Sequence, residues 1–354
     1  IGGWVIKYLA EYLLGKAHLV AEDGYFSSFI SNGMSSELCF LVFTAMTLAI
    51  IFAGVENGIE RVSKIMMPIL VVLSLIIAVY SVTRPGALEG VKYFLVPNLD
   101  NFSWMTVVSA MGQMFYSLSI AMGILITFGS YMKKDVPIES STRNVEVFDT
   151  AIAIMAGLMI IPAVFAFSGG DPSALKAGPS LMFITIPKVF DSMGFGTVIG
   201  IAFFLLVLFA ALTSSISLIE GVVAFLTERF GWKRKPTTII VCTLMFLIGC
   251  LYTMSQAAFN IKGIWFDFAN GVSFPIFGDF MEFLTDRLMI PLCALGVCIF
   301  TGWIWKPANA VHEIELDGKP FKLAKVYSVL VKYVAPISIL LIIVASFVTG
   351  TTLS

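Results

Sequence analysis

The sequence predicts an all-α polytopic membrane protein, and three observations carry that reading. Hydrophobic residues make up 58% of the 354 residues and charged residues only 13%, and the mean hydropathy is +0.94. The apolar residues gather in runs of about 20, the length that crosses the hydrocarbon of a bilayer. Lysine and arginine collect in alternate loops. The runs lie at 1–20, 37–54, 62–83, 103–129, 146–168, 196–227, 237–254, 279–305 and 327–350, about nine spans.

The first run is apolar from Ile1-Gly2-Gly3-Trp4 onward. No charged stretch precedes it, so it does not read as a signal peptide. The chain is expected to begin in mid-helix, as a fragment. At the third run, Gly58 stands ahead of Pro68. Proline removes a backbone donor and weakens the preceding turn. That turn either unwinds where a cavity or water satisfies it or is a simple kink.

The fourth run holds Gly112-Gln113-Met114-Phe115-Tyr116-Ser117-Leu118-Ser119-Ile120-Ala121-Met122-Gly123. Ser117 and Ser119 point nearly opposite ways on a regular helix, so lipid would meet polar groups on several faces. Serines that bond the carbonyl one turn back are one account. A helix broken around a polar cargo is the other, and Gln113, Tyr116 and the flanking glycines favour it. In the fifth run, Asp149 is either a functional intramembrane carboxylate, which costs roughly 3 kcal/mol to place there, or a first-turn residue that favours the helix N-terminus.

The loop 169–195 is long, rich in glycine and proline, yet contains Leu181-Met182-Phe183-Ile184. It either folds back into an outer vestibule or lies as a surface helix on the membrane face. In the sixth run, Thr213-Ser214-Ser215 can offer oxygens to a hard cation such as sodium or make a small polar helix contact. In the eighth, Glu282 and Asp286 pair with Arg287, pair with a basic residue elsewhere, or are solvated interfacial charges.

Thirteen basic residues fall in one set of loops, from Arg61 to Lys325, and six in the other. The positive-inside rule makes the first set cytoplasmic, so the first span runs outward. Net charge of −1 argues against a nucleic-acid partner. The five cysteines lie within spans without a CxxC, which indicates neither a disulfide framework nor a metal site. No catalytic motif is present, and His18 and His312 lie outside the conspicuous segments, so no enzyme is expected.

Gly112–Ser119 followed by Ala121-Met122-Gly123 resembles the sixth helix of the neurotransmitter:sodium symporters, bacterial amino-acid branch. Glu60-Arg61-Val62-Ser63-Lys64-Ile65-Met66-Met67-Pro68 is similar to that family's fifth helix, Ala177–Pro187 to its fourth outer loop, and Leu212–Ser215 to its eighth helix. The resemblance implies a leucine-transporter-type inverted-repeat fold in which the runs here are helices 3–11 and helices 1–2 are missing. Residues 1–102 would be the remainder of the first repeat, 103–305 the second repeat with its broken helix at 112–123, and 306–354 a cytoplasmic loop and final helix.

The resemblance also implies roles. Ser117 and Asp149 would hold a first sodium ion, with Asp149 supplying charge that chloride supplies elsewhere, so chloride is expected to be dispensable. Ala210, Thr213 and Ser214 would hold a second. Tyr116, Ser117, Ser119, Ala121, Met122, Gly123, Ser214 and Leu218 would line the substrate pocket, with Tyr116 as its lid. Glu282 would pair at the outer gate, Tyr131 and Glu228 at the inner gate, and Gly58 to Pro68 would be a helix 5 unwinding motif. The implied function is sodium-coupled symport of a small neutral, hydrophobic amino acid by alternating access in a bacterial inner (plasma) membrane, without an organic cofactor. The alternatives are an amino-acid-binding sensor of the same fold, or an inert truncated product.

Overall fold

The computed structural model describes residues 1–99, 102–120, 122–175, 178–257 and 277–349. Among them every regular element is helical. Helices satisfy their own backbone hydrogen bonds, which is what hydrocarbon demands. In chain order the α-helices are α1 (Gly2–Leu13), α2 (Ala17–Ala21), α3 (Tyr25–Ser31), α4 (Gly33–Phe52), α5 (Arg61–Val82), α6 (Ala87–Leu95), α7 (Trp104–Ser117), α8 (Ile124–Ser130), α9 (Ile138–Ser168), α10 (Ile186–Asp191), α11 (Gly196–Phe230), α12 (Arg234–Ala257), α13 (Phe277–Glu282), α14 (Ile290–Ile299), α15 (Pro307–Ile314), α16 (Ala324–Val329) and α17 (Ala335–Thr349).

Seven stretches among the described residues are long and apolar enough to cross a membrane: Gly33–Phe52, Val55–Val82, Ile138–Ser168, Gly196–Phe230, Arg234–Ser255, Phe280–Ile304 and Ala324–Val344. They answer to seven of the nine expected runs. The other two depart from a continuous helix. The first run stops at Leu13 and turns at Gly15, whose φ is +74°. The fourth is divided into α7 and α8. The run at 279–305 is one continuous helix in which π-helical turns at Phe283–Met289 and Phe300–Ile304 flank α14, and Leu330–Val334 likewise joins α16 to α17.

The chain packs as two compact units, residues 1–98 with 151–260 and residues 99–150 with 261–354. In the first, α11 packs against α1, α4, α5 and α12, and α4 also lies against α1 and α12. The core is aromatic. Trp4, Tyr8 and Tyr12 on α1 meet Phe204 on α11 and Phe183 from the loop 169–195, and all five are at most 7% exposed. Phe183 stacks on Phe26 with ring centroids 5.2 Å apart, and its carbonyl accepts a 2.8 Å hydrogen bond from the Tyr8 hydroxyl. A buried phenol needs such a partner. Leu181–Thr185 is thus folded back against the core of the first unit, which does not suit the surface-helix reading of this loop. Outside the core, Lys188 of α10 pairs with Asp23 and His18 of α2 with Asp191 at 3.0 Å. The hydrogen bond from Lys188 holds the Asp23 carboxyl below the usual carboxylate range.

In the second unit, α17 packs against α14 and α7. Ala294 and Ile339 are its buried centre, and Phe115 of α7 packs there with Ile290, Leu295 and Ile343.

Close approach of α1 and α11 depends on Gly200. A Cβ there would stand 2.0 Å from the Tyr12 ring, and that ring is 1% exposed with no space to retreat. Overpacking of this kind costs about 1–3 kcal/mol. Gly200→Val is expected to lower the thermal midpoint of the purified protein by several degrees. Gly129→Ala, where no atom lies within 4 Å, should leave it nearly unchanged.

Candidate functional site

The break in the fourth run is built locally. A reciprocal cap starts α7: Thr106 N–H donates to Ser103 Oγ (3.4 Å) and Ser103 N–H to Thr106 Oγ1 (3.2 Å). The helix ends at Ser117. Beyond it Ser119 N–H bonds the Tyr116 carbonyl and Ile120 N–H the Phe115 carbonyl. Ser119 has φ +53°, a left-handed value that a non-glycine residue adopts only under constraint. Gly123, at φ +74°, opens α8, and its carbonyl accepts from Thr127 Oγ1 at 3.0 Å. The left-handed pair divides one span into two helices whose facing ends carry backbone groups without helical partners.

Ser117, the last residue of α7, donates from Oγ to Asp149 Oδ1 at 2.6 Å. That short bond is of the charge-assisted kind. Asp149 is not a first-turn residue: α9 begins at Ile138, about three turns earlier. Its carboxylate is therefore beyond reach of the helix N-terminus, and the helix-dipole account of its position does not apply.

Thr213, Ser214 and Ser215 take two different roles. Thr213 Oγ1 and Ser214 Oγ each lie 3.0 Å from the carbonyl oxygen of Ala210, to which both donate. Three oxygens thus cluster on one face of α11. Ser215 turns away: its hydroxyl donates to the Leu212 carbonyl and lies 3.0 Å from Thr47 Oγ1 of α4. The polar helix contact thus accounts for Ser215. The oxygens of Ala210, Thr213 and Ser214 are of the kind a hard cation prefers.

The remaining residues are distributed as follows. Tyr116 is half exposed and lies within electrostatic reach of Asp286 and Glu282, all in the second unit. Asp286 accepts from Thr285 Oγ1 at 3.0 Å, and the Arg287 side chain lies outside the described residues, as does Ala121. Met122 is partly exposed just ahead of Gly123. Tyr131 caps the end of α8 and sets its ring edge-on to Phe128. Leu218 and Glu228 lie exposed on α11, in the first unit. Gly58 sits in a π-helical turn, Val55–Glu60, and Pro68 lies inside α5, so the segment between them is helical in this conformation. Gly58 leaves no room for a side chain, since a Cβ would be 2.0 Å from the Ile50 carbonyl oxygen.

One feature escaped the sequence reading. Glu220 of α11 is fully buried and receives both guanidinium arms of Arg234, at 2.8 and 2.6 Å. The signal was available, because a carboxylate inside an apolar span is costly unless paired, the same argument that singles out Asp149.

A family model described as "Sodium:neurotransmitter symporter family" matches residues 11–354. YhdH of Bacillus subtilis, an uncharacterised sodium-dependent transporter, is 32% identical over 348 residues, covering 97% of this chain and 74% of its own length. An uncharacterised sodium-dependent transporter of Haemophilus influenzae is 31% identical over 357 residues, with 98% and 74% covered. The crystal structure of MhsT in complex with L-phenylalanine superposes with a TM-score of 0.84 at 35% identity, over 98% of this chain and 76% of that one.

The fork between Arg234 and Glu220 makes a distinct expectation. Removing one partner of a buried ion pair costs about 3–5 kcal/mol, whereas replacing both with apolar residues is often neutral. Arg234→Met should markedly lower the thermal midpoint, and the double variant Glu220→Met/Arg234→Met should recover most of the loss.

Proposed function

The chain belongs to the sodium:neurotransmitter symporter family, and from that premise we propose that it couples sodium entry to uptake of a small neutral, hydrophobic amino acid by alternating access. The family is one of secondary transporters, so the protein is a multi-pass sodium-coupled membrane transporter and not an enzyme. The amino-acid class rests on the L-phenylalanine bound to MhsT and on Met122 and Leu218 in the segments assigned to the pocket.

The observation that carries the proposal is the bond from Ser117 to Asp149 at the break. A carboxylate and a hydroxyl oxygen 2.6 Å apart suit a hard cation. In the ion-bound state the Ser117 proton turns aside, and both oxygens face the sodium. Asp149 then neutralises the ion with a fixed charge, which removes the need for chloride. Ala210, Thr213 and Ser214 provide the second sodium site through one carbonyl and two hydroxyls. In the second unit, Ser119, Ala121, Met122 and Gly123 are assigned to the substrate, with Tyr116 as lid, Glu282 to the outer gate and Tyr131 to the inner one; in the first, Ser214 and Leu218 are assigned to the substrate and Glu228 to the inner gate. The Gly58–Pro68 segment loosens to admit water during sodium release, since Pro68 leaves one carbonyl of the preceding turn without a donor.

Coupling follows from linkage. If sodium raises the affinity for the amino acid, the amino acid raises the affinity for sodium by the same factor. Each shifts the balance between outward-open and closed states only by its differential affinity for them.

Proteoliposomes with an inward sodium gradient should accumulate labelled L-phenylalanine or L-leucine above equilibrium, and potassium replacement should abolish this. Binding without accumulation would instead mark a sensor. Asp149→Asn is expected to raise the sodium concentration for half-maximal uptake by about tenfold, the worth of a charged hydrogen-bond partner, or to create a chloride requirement. Unchanged uptake in chloride-free buffer would remove its assigned role. Thr213→Val and Ser214→Ala should each weaken sodium dependence. Ser215→Ala should leave it intact while costing about 0.6 kcal/mol of helix packing.

A further inference from the structure

Within the second unit, the end of the 280–304 helix and the start of the 324–344 helix enclose an open cavity of about 690 Å³. Its walls carry Lys306, Lys325 and Lys332 together with Trp303, Tyr333 and Ser328, and among the described residues no carboxylate lines it. None of the ion pairs found among the described residues engages these lysines. Three cations have thus been brought to one concavity without a counter-charge among the described residues. Pro307 and Ala308, the first residues of α15, also line it, so the positive end of that helix adds to the field.

The construction is specific in two further ways. Lys306 holds φ +71°, a conformation a lysine adopts only when its surroundings impose it. Trp303 Nε1 donates to the Lys332 carbonyl at 3.2 Å and meets Tyr333 edge-on with ring centroids 6.1 Å apart, which braces the two helices across the cavity. Lys332 lies eight residues past Ala324, roughly 12 Å along the helix, a depth from which a lysine stem can carry its ammonium to the interface.

We propose that this cavity binds the headgroup of an anionic phospholipid from the cytoplasmic leaflet. The basic loop 306–325 sets the cytoplasmic side by its lysine content, and the Trp303 and Tyr333 pair sits where aromatic side chains mark the membrane interface. Basic pockets between transmembrane helices on this side suit anionic headgroups. The flanks decide for a lipid over a free phosphate. Phe300, Ile304, Val329, Leu330 and Ile337 are all exposed on the same two helices and offer apolar surface for acyl chains.

The test uses the full chain in detergent, titrated with dioleoylphosphatidylglycerol or dioleoylphosphatidylcholine, with bound lipid counted by native mass spectrometry and the thermal midpoint followed in parallel. Phosphatidylglycerol should bind and raise the midpoint, phosphatidylcholine should do so weakly, and inorganic phosphate at the same concentration should not. Lys306→Gln/Lys325→Gln/Lys332→Gln should abolish the preference. Lys325→Glu, a single exposed change that leaves the fold intact, should weaken phosphatidylglycerol binding by about fivefold or more, given the worth of one basic residue near an anionic surface. Lys322→Glu, with the same charge change on the same loop but outside the cavity, should retain it. Equal losses for Lys322→Glu and Lys325→Glu, equal binding of both lipids, or a matching effect of phosphate alone would each overturn the assignment.

Discussion

The interior of a bilayer has no spare hydrogen-bond partners, and the architecture answers to that fact. Each unpaired peptide group in hydrocarbon costs several kcal/mol, so helices dominate and interruptions are confined to places where the protein can answer for them. The break between α7 and α8 is the largest such interruption described. Its local bonds, from Ser119 and Ile120 back to Tyr116 and Phe115, satisfy part of the exposed backbone. Asp149 satisfies the hydroxyl at its edge. What is left is a polar surface in a segment whose neighbours in sequence are apolar, the kind of place where a small polar partner would be met.

The same economy appears in the hydroxyl run of α11. Each residue advances about 100° around the helix, so three adjacent hydroxyls cannot share one task. Ser215 is spent on Thr47 of the neighbouring helix, while Thr213 and Ser214 converge on one carbonyl. A hydroxyl that bonds its own helix can exchange that bond for an ion at little cost, because the helix remains intact when the proton swings away. A hydroxyl that ties two helices together cannot.

Much of this was legible before any coordinates. Hydrocarbon imposes a length on every span, so seven of the nine apolar runs coincide with long helices to within a few residues at most ends. Polar residues in the fourth run pointed to a break because no regular helix could hide them. Other features were not legible, for identifiable reasons. The apolar content of Leu181–Ile184 fits a buried segment and a membrane-surface helix equally well, and only the Tyr8 bond and the Phe26 stack decide it. The start of α9 was misjudged by eight residues, because Ile138–Val145 is polar and its helicity comes from continuity with the apolar part. That error alone sustained the helix-dipole account of Asp149. Residue chemistry alone did not separate Ser215 from its neighbours, since that needs the face of α11 that meets α4; only the family resemblance left it out of the ion set.

Phe183 has a thermodynamic corollary. It is 1% exposed, held between Phe26, Tyr8 and Phe204, yet it belongs to a connecting loop and not to a span. Any step of a working cycle that withdraws it must hydrate several aromatic rings at once, and such hydration carries a large positive heat-capacity change. A step that leaves it seated carries little. The curvature of rate against temperature for opening and closing therefore reports whether this loop travels with α1 and α11 as one body or is lifted from them on each turnover.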